Sequence, residues 1–251
     1  RGSVPQVSQK TTNPDGTSQW AGFEMDLSHE ISQLVLGAPD KVDFVETPFS
    51  ARNFALKQDQ ADCLICLSPR GYSDAFIYSE PYYTDSVAVV VPMDGAVNLA
   101  ELHGEPMVTK SGGKVGAITR QPQSSSTVNP LQHQGALTAL RQYSENQSAN
   151  LDVVSFTGAH DMFQALMNKE IDAVAIETAL LPIYFDPVNM RVLMNALGTI
   201  DYSVAALPEN QSLIDAVNIV LSEMRGDGRL AALYTKYELR DYGGMVSSSD
   251  G

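Results

Sequence analysis

Short apolar runs alternate along the chain with stretches of helical period, and Gly, Pro, Asn or Asp marks most of the switches. Residues 1–21 lack periodicity and end in Asn13-Pro14-Asp15-Gly16, which predicts a loop or hairpin. Leu27, Ile31, Leu34 and Val35 then share one helical face, with Asp26 or Ser28 as the expected cap and Gly37 with Pro39 as the stop. Val42 to Val45 alternates as a short strand. Ser50 to Lys57 predicts a helix capped by Ser50, with Phe54 and Ala55 inward. Cys63 to Leu67 is a continuous apolar run between polar turn residues, the pattern of a strand buried on both faces of a parallel sheet. Ligands bind outside the carboxyl ends of such strands, which marks Ser68, Pro69 and Arg70. Pro81 stops any helix, and Val87 to Val91 is β-branched enough for a strand.

From Met93 to Gly113 the sequence turns polar and Gly-rich, a candidate domain edge. A second alternation follows. Strands are predicted over Lys114 to Thr119, Val153 to Phe156 and Ile171 to Ile176, and helices over Ala136 to Tyr143 and His160 to Met167. In the latter helix Phe163, Leu166 and Met167 face inward. Gln121 to Val128 is a polar loop. Val192 to Leu197 and Tyr202 to Leu207 are further strands, and Gln211 to Met224 carries an apolar stripe of Leu213, Ala216, Val217, Val220, Leu221 and Met224. A Gly226-Asp227-Gly228 stop and a helix from Leu230 to Tyr237 complete it. The alternation predicts an α/β fold. The closing helices have no sheet of their own and are expected to pack on the first unit. Two lobes result, 1–91 with 203–251 and 92–202, joined by two hinge crossings and separated by a cleft.

Composition narrows the function. With 251 residues, 43% of them hydrophobic, the chain has material for a sizeable core. The net charge of -14 argues against nucleic acid or an anionic membrane surface as partner. No stretch approaches the ~20 apolar residues of a membrane span and no signal peptide opens the sequence, so a soluble chain is expected, already processed if secreted. Cys63 and Cys66 form a CxxC, yet the four His, at 29, 103, 133 and 160, lack ligand spacing. Two core thiols are the better reading, and no metal or cofactor is expected. With no Ser-His-Asp set and no phosphate loop, a non-enzyme is the expectation.

Several motifs resemble one family. Gly22-Phe23-Glu24-Met25-Asp26-Leu27 looks like GFDxDL, Ala55-Leu56 with Asp62 like ALxxGxxD, and Tyr78-Ser79-Glu80-Pro81-Tyr82 like FSxPY. Ala165-Leu166 with Ile171-Asp172-Ala173-Val174 looks like ALxxGxVDAV, and Leu213 to Tyr237 like LxxAVNxxLxxMxxDGxLxxLYxKY. Together they resemble the extracytoplasmic solute-binding proteins of polar amino-acid ABC transporters. The resemblance implies a type II periplasmic-binding-protein-like fold, a Venus flytrap that closes on an amino acid and hands it to a membrane permease. It also implies a periplasmic or extracytoplasmic location and a monomer. A sensory domain of a membrane receptor and a dehydratase on the same fold are the alternatives. Arg1 to Pro5 and Ser50 to Phe54 look most like the glutamate/aspartate-binding branch, whose two arginines correspond here to Arg1 and Arg52. The loop after Leu67 is shorter than the family's, and the family's Gly-Thr-Thr is replaced by Gln121-Pro122-Gln123.

The candidate ligand-binding residues are Arg1, Arg52, Ser68, Arg70, Ser124, His160 and Glu177. Arg70 offers a bidentate guanidinium to a carboxylate. Arg52 stands in the first turn of a helix, whose dipole adds to its charge. Ser68 offers a hydroxyl at the same strand end, and Ser124 to Ser126 can cap a helix. Glu177 matches the family's Asp that holds the ligand's ammonium; the simpler reading is a helix-capping carboxylate. His160 lies one position from a histidine of the acidic-ligand branch. Trp20 and Tyr82 are candidate pocket aromatics, core being the commoner role at such positions.

Overall fold

In the computed structural model the described residues are 7–47, 51–71, 73–96, 114–118, 135–146, 152–156, 158–195 and 197–241. In chain order the elements are β1 (Gln9–Thr12), β2 (Ser18–Ala21), α1 (Phe23–Leu36), α2 (Arg52–Lys57), β3 (Cys63–Leu64), β4 (Ile77–Pro92) and β5 (Lys114–Ile118). Then come α3 (Ala136–Asn146), β6 (Asp152–Phe156), α4 (Ala159–Met167), β7 (Ala173–Glu177), a 3-10 turn (Thr178–Leu180), α5 (Leu181–Tyr184), β8 (Met190–Met194), β9 (Thr199–Ala206), α6 (Gln211–Gly226) and α7 (Arg229–Lys236). The chain divides into two compact units, with boundaries between Thr84 and Asp85 and between Ile200 and Asp201.

The first unit opens with the β1-β2 hairpin, Lys10 opposite Trp20. Gly22 starts α1 at φ +132°, and a Cβ there would stand 2.4 Å from the Val7 carbonyl, so only glycine lets the segments pass this closely. Val7 accepts from the Glu24 amide at 2.9 Å. That contact sets the helix start, and Asp26 and Ser28, the expected caps, lie inside the helix, with Ser28 bonding back to the Glu24 carbonyl at 2.6 Å. Gly37, left-handed at φ +83°, ends it.

Helices α6 and α7 pack on α1. Arg229 reaches Glu30 at 2.7 Å, Lys236 and Tyr237 reach Asp26 at 2.5 and 2.7 Å, and the Tyr234 hydroxyl donates to the Tyr82 carbonyl at 2.6 Å. Phe23, Tyr82, Tyr83 and Tyr234 form an aromatic cluster beneath, and Tyr83 stacks on Tyr202 at 6.1 Å between centroids. On α6 the buried stripe is Ile214, Val217, Val220, Leu221 and Met224; Ile214 takes the place expected of Leu213.

Several local expectations fail here. Residues 42–47 form no strand, and Val45 is exposed. Helix α2 buries Ala55 and Leu56 while Phe54 is 57% exposed, so its inner face is turned by one residue; Ser50, the expected cap, lies outside the described residues. Strand β3 is two residues long and antiparallel to β9, with Cys63 opposite Ala206. The predicted five-residue parallel strand is thus cut to two, and Leu67, at φ +46°, lies outside any ladder. Pro81 lies within the 16-residue β4 rather than after a helix. Cys63 and Cys66 are not joined in a disulfide, and burial, with the charge of Asp62 and Cys66 beside it, pushes the Cys63 thiol up to about 12.

The second unit is a sheet around β7, whose five residues are all buried. β7 runs antiparallel to β4, with Val87 opposite Glu177, and parallel to β5, which in turn pairs parallel with β6; β8 pairs with β4 on the other edge. Helix α4 covers the sheet with Met162, Phe163, Ala165 and Leu166, while Met167, expected inward, is 42% exposed. Ile171 packs into this core just before the strand it was expected to open.

Candidate functional site

In the first unit the candidates gather at the turn leaving β3, and a buried carboxylate shapes that turn. Glu24, 1% exposed, accepts from the Leu67 amide and the Tyr82 hydroxyl, each at 2.5 Å. A leucine at positive φ costs energy, and hydrogen bonds to a charged acceptor offset that cost. Burial, then the charge of Glu24, push the Tyr82 phenol well above its ordinary range, so it remains a donor. The next residues are pinned from β9: Ser203 donates to the Ser68 carbonyl at 3.1 Å, and the Arg70 amide donates to the Asp201 carbonyl at 2.8 Å.

Ser68 is 4% exposed. Arg52 donates from Nη1 to the Cys66 carbonyl at 2.8 Å, and Glu46 pairs with Lys10 at 2.6 Å. The structure thus brings Arg52, Ser68 and Arg70 to one turn, residues 66–70. The Arg70 guanidinium is exposed and held only loosely, at 3.4 Å from Glu80. Such a surface pair stabilises by under about 1 kcal/mol and leaves the guanidinium able to take another anion. Tyr82 is wholly buried and belongs to the core; Trp20 is half-buried under Lys10.

In the second unit Glu177 ends β7 and is 2% exposed. Its Oε1 would stand 2.6 Å from a Cβ on Gly135, which has φ +51° and directly precedes α3. The carboxylate therefore faces the amino-terminal end of a helix, where unbonded amides and the dipole favour an anion. His160 is exposed in the first turn of α4. The residue that joins Glu177 is Asp85, fully buried, which accepts from the Thr178 hydroxyl, from the Ser86 amide at 2.8 Å and from the Ala179 amide at 3.1 Å. Burial pushes its carboxyl up to about 6 with Glu177's charge adding, against the lowering effect of those three donors. Arg1 and Ser124 lie outside the described residues. Among the described residues no group of three or more His, Cys, Asp or Glu is placed to hold a metal ion.

The sequence pattern does not mark Glu24 as site-shaping, since nothing near it in the chain reports its burial. Asp85 carries a local signal: a carboxylate between Tyr83 and the apolar run Val87 to Val91 must be buried with its strand, and buried carboxylates need donors.

The family described as bacterial extracellular solute-binding proteins, family 3, matches residues 4–240. The chain belongs to that family. Among relatives of this solute-binding protein, the ABC transporter glutamine-binding protein GlnH of Bacillus subtilis (strain 168) is 20% identical, over 88% of this chain and 73% of the relative. The solved structures share its fold. An arginine third transport system periplasmic binding protein from Legionella pneumophila superposes with TM-score 0.64 at 22% identity, covering 93% of this chain and 95% of its own. The solute receptor for L-cysteine of Neisseria gonorrhoeae gives 0.61 at 21%, covering 95% and 88%. An ancestral amino acid-binding protein, precursor of a cyclohexadienyl dehydratase, gives 0.62 at 20%, covering 93% and 91%. The fold class is therefore α/β of the type II periplasmic amino-acid-binding kind. Among the described residues no helix is long and apolar enough to cross a membrane.

Proposed function

We propose that this solute-binding protein takes up a small polar amino acid outside the cytoplasm and delivers it to the permease of an ABC transporter, without catalysing a reaction. The observation that carries the reading is the family match from residue 4 to 240; a relative described as glutamine-binding and fold neighbours described by arginine transport and as a receptor for L-cysteine support it. Chemistry supports it residue by residue. Arg70 and Arg52, with the Ser68 hydroxyl, suit a ligand carboxylate, and Glu177 suits an ammonium group. Arg1, Ser124 and His160 remain assigned by resemblance. The glutamate/aspartate-like segment around Arg52 makes acidic amino acids the first to test. Isothermal calorimetry against the twenty amino acids should give micromolar or tighter binding for at least one; no heat with any of them overturns the reading.

A dehydratase is the second reading, favoured by the buried carboxyl group of Glu177 and by the ancestral neighbour described as a dehydratase precursor. Turnover of prephenate or arogenate by the purified chain would establish it, and complete inertness removes it.

A further inference from the structure

Glu177 is the last residue of β7, and its direction depends on the backbone that follows. That backbone, the 3-10 turn Thr178–Leu180, has no cap of its own: Glu177 occupies the cap position and makes no capping bond with its side chain. A residue from a different strand does so instead. In the β4-β7 register Val87 faces Glu177, so Asp85, two residues earlier on β4, reaches past the end of β7 to the turn. One carboxylate oxygen takes the Thr178 hydroxyl and the other takes the Ala179 amide at 3.1 Å, clamping the two residues after Glu177. Gly135 packs against the carboxylate itself, leaving no room for a Cβ beside Glu177 Oε1.

We infer that Asp85 is the positioning residue for Glu177: by capping the turn that leaves β7 it fixes the Glu177 carboxylate in place and couples its own charge to it. This rests on Glu177 being the group that receives the ligand's ammonium. Among the described residues, the charged group that bears on Asp85 is Glu177, from β7. Its neighbours from β4 and the turn, the Ser86 and Ala179 amides and the Thr178 hydroxyl, are neutral. The charge on Glu177 holds the Asp85 carboxyl up, alongside burial. A cation held at Glu177 therefore also favours the ionised form of Asp85, and affinity for an ammonium-bearing ligand rises with pH across the range in which Asp85 ionises.

The test uses the whole chain and two readouts. Without ligand, carboxyl carbon NMR of Glu177 should show an inflection near pH 6, contributed by Asp85, that vanishes in Asp85→Asn. With ligand, calorimetry from pH 5 to 8 should show affinity for the tightest-binding amino acid weakened about tenfold in Asp85→Asn at pH 7, with its pH dependence flattened. Thr178→Val, which removes one donor and keeps the Asp85 charge, should lose affinity and keep the pH dependence. Superimposable profiles of the Glu177 carboxyl chemical shift against pH in wild type and Asp85→Asn overturn the inference, as does a calorimetric profile identical in both. If no amino acid binds the wild type while the NMR inflection is present and lost in Asp85→Asn, the amino-acid reading falls and the positioning of Glu177 stands.

Discussion

The Glu24 carboxylate stands 2.5 Å from the Tyr82 hydroxyl, joining the first turn of α1 to β4 where both side chains are almost wholly buried. The two residues come from the motifs at 22–27 and 78–82, and what they jointly hold is the amide of Leu67, the entry to the Ser68–Arg70 turn. Motifs that carry the family resemblance thus act here as the frame of a loop, one step behind the residues that would meet a ligand.

Removing part of that frame should cost stability. Tyr82→Phe takes one donor from a buried carboxylate and is expected to lower stability by about 1–2 kcal/mol; Glu24→Leu takes the acceptor from the Tyr82 hydroxyl, leaves the Leu67 amide only its longer bond to that hydroxyl and should cost about 2–3 kcal/mol. Urea midpoints at constant slope measure both. Calorimetry with the best-binding amino acid should show Glu24→Leu weaker than wild type, through displacement of the Ser68–Arg70 turn.

Asp85 makes stability pH-dependent. Its carboxyl is raised from 3.8 to about 6 in the folded chain, so between those values the folded state holds a proton that the unfolded state releases. The resulting stability is complete at low pH and lost as pH rises through about 6, by up to about 3 kcal/mol. Urea unfolding at steps from pH 4 to 7 should show wild type losing stability relative to Asp85→Asn over that window. Parallel curves for the two proteins would contradict the assignment.

Gly135→Ala places a methyl group against Glu177 Oε1 at a backbone φ of +51°. A loss of about 1–2 kcal/mol is expected from the conformation and the displaced carboxylate together. The variant should also bind the tightest amino acid more weakly than wild type. A Gly135→Ala protein with unchanged melting and unchanged calorimetry would mean that Glu177 is free to move away.

The two arginines should behave differently. Arg70→Ala removes an exposed, loose pair with Glu80 and is expected to change stability by less than about 0.5 kcal/mol while weakening amino-acid binding about tenfold or more. Arg52→Ala also removes the bond to the Cys66 carbonyl and should cost about 1 kcal/mol in urea unfolding besides weakening binding.

What the sequence determined by itself was the set of elements whose evidence is local. The Gly37 stop of α1 appears where its pattern places it, and the α6 stripe from Val217 and the β7 run from Ala173 do so apart from their first residues, because burying one face of a helix or strand demands a repeating side-chain order. Tertiary structure decided the pairing and the charges. Strand β3 ends at Leu64 and turns antiparallel to β9, and no periodicity near Cys63 reports on a partner at Ala206. Glu24 and Asp85 look like ordinary carboxylates in the chain; their roles depend on which amides and hydroxyls folding brings within about 3 Å. A hydrophobic pattern is written in neighbouring residues, whereas the surroundings of a buried charge are assembled from distant ones.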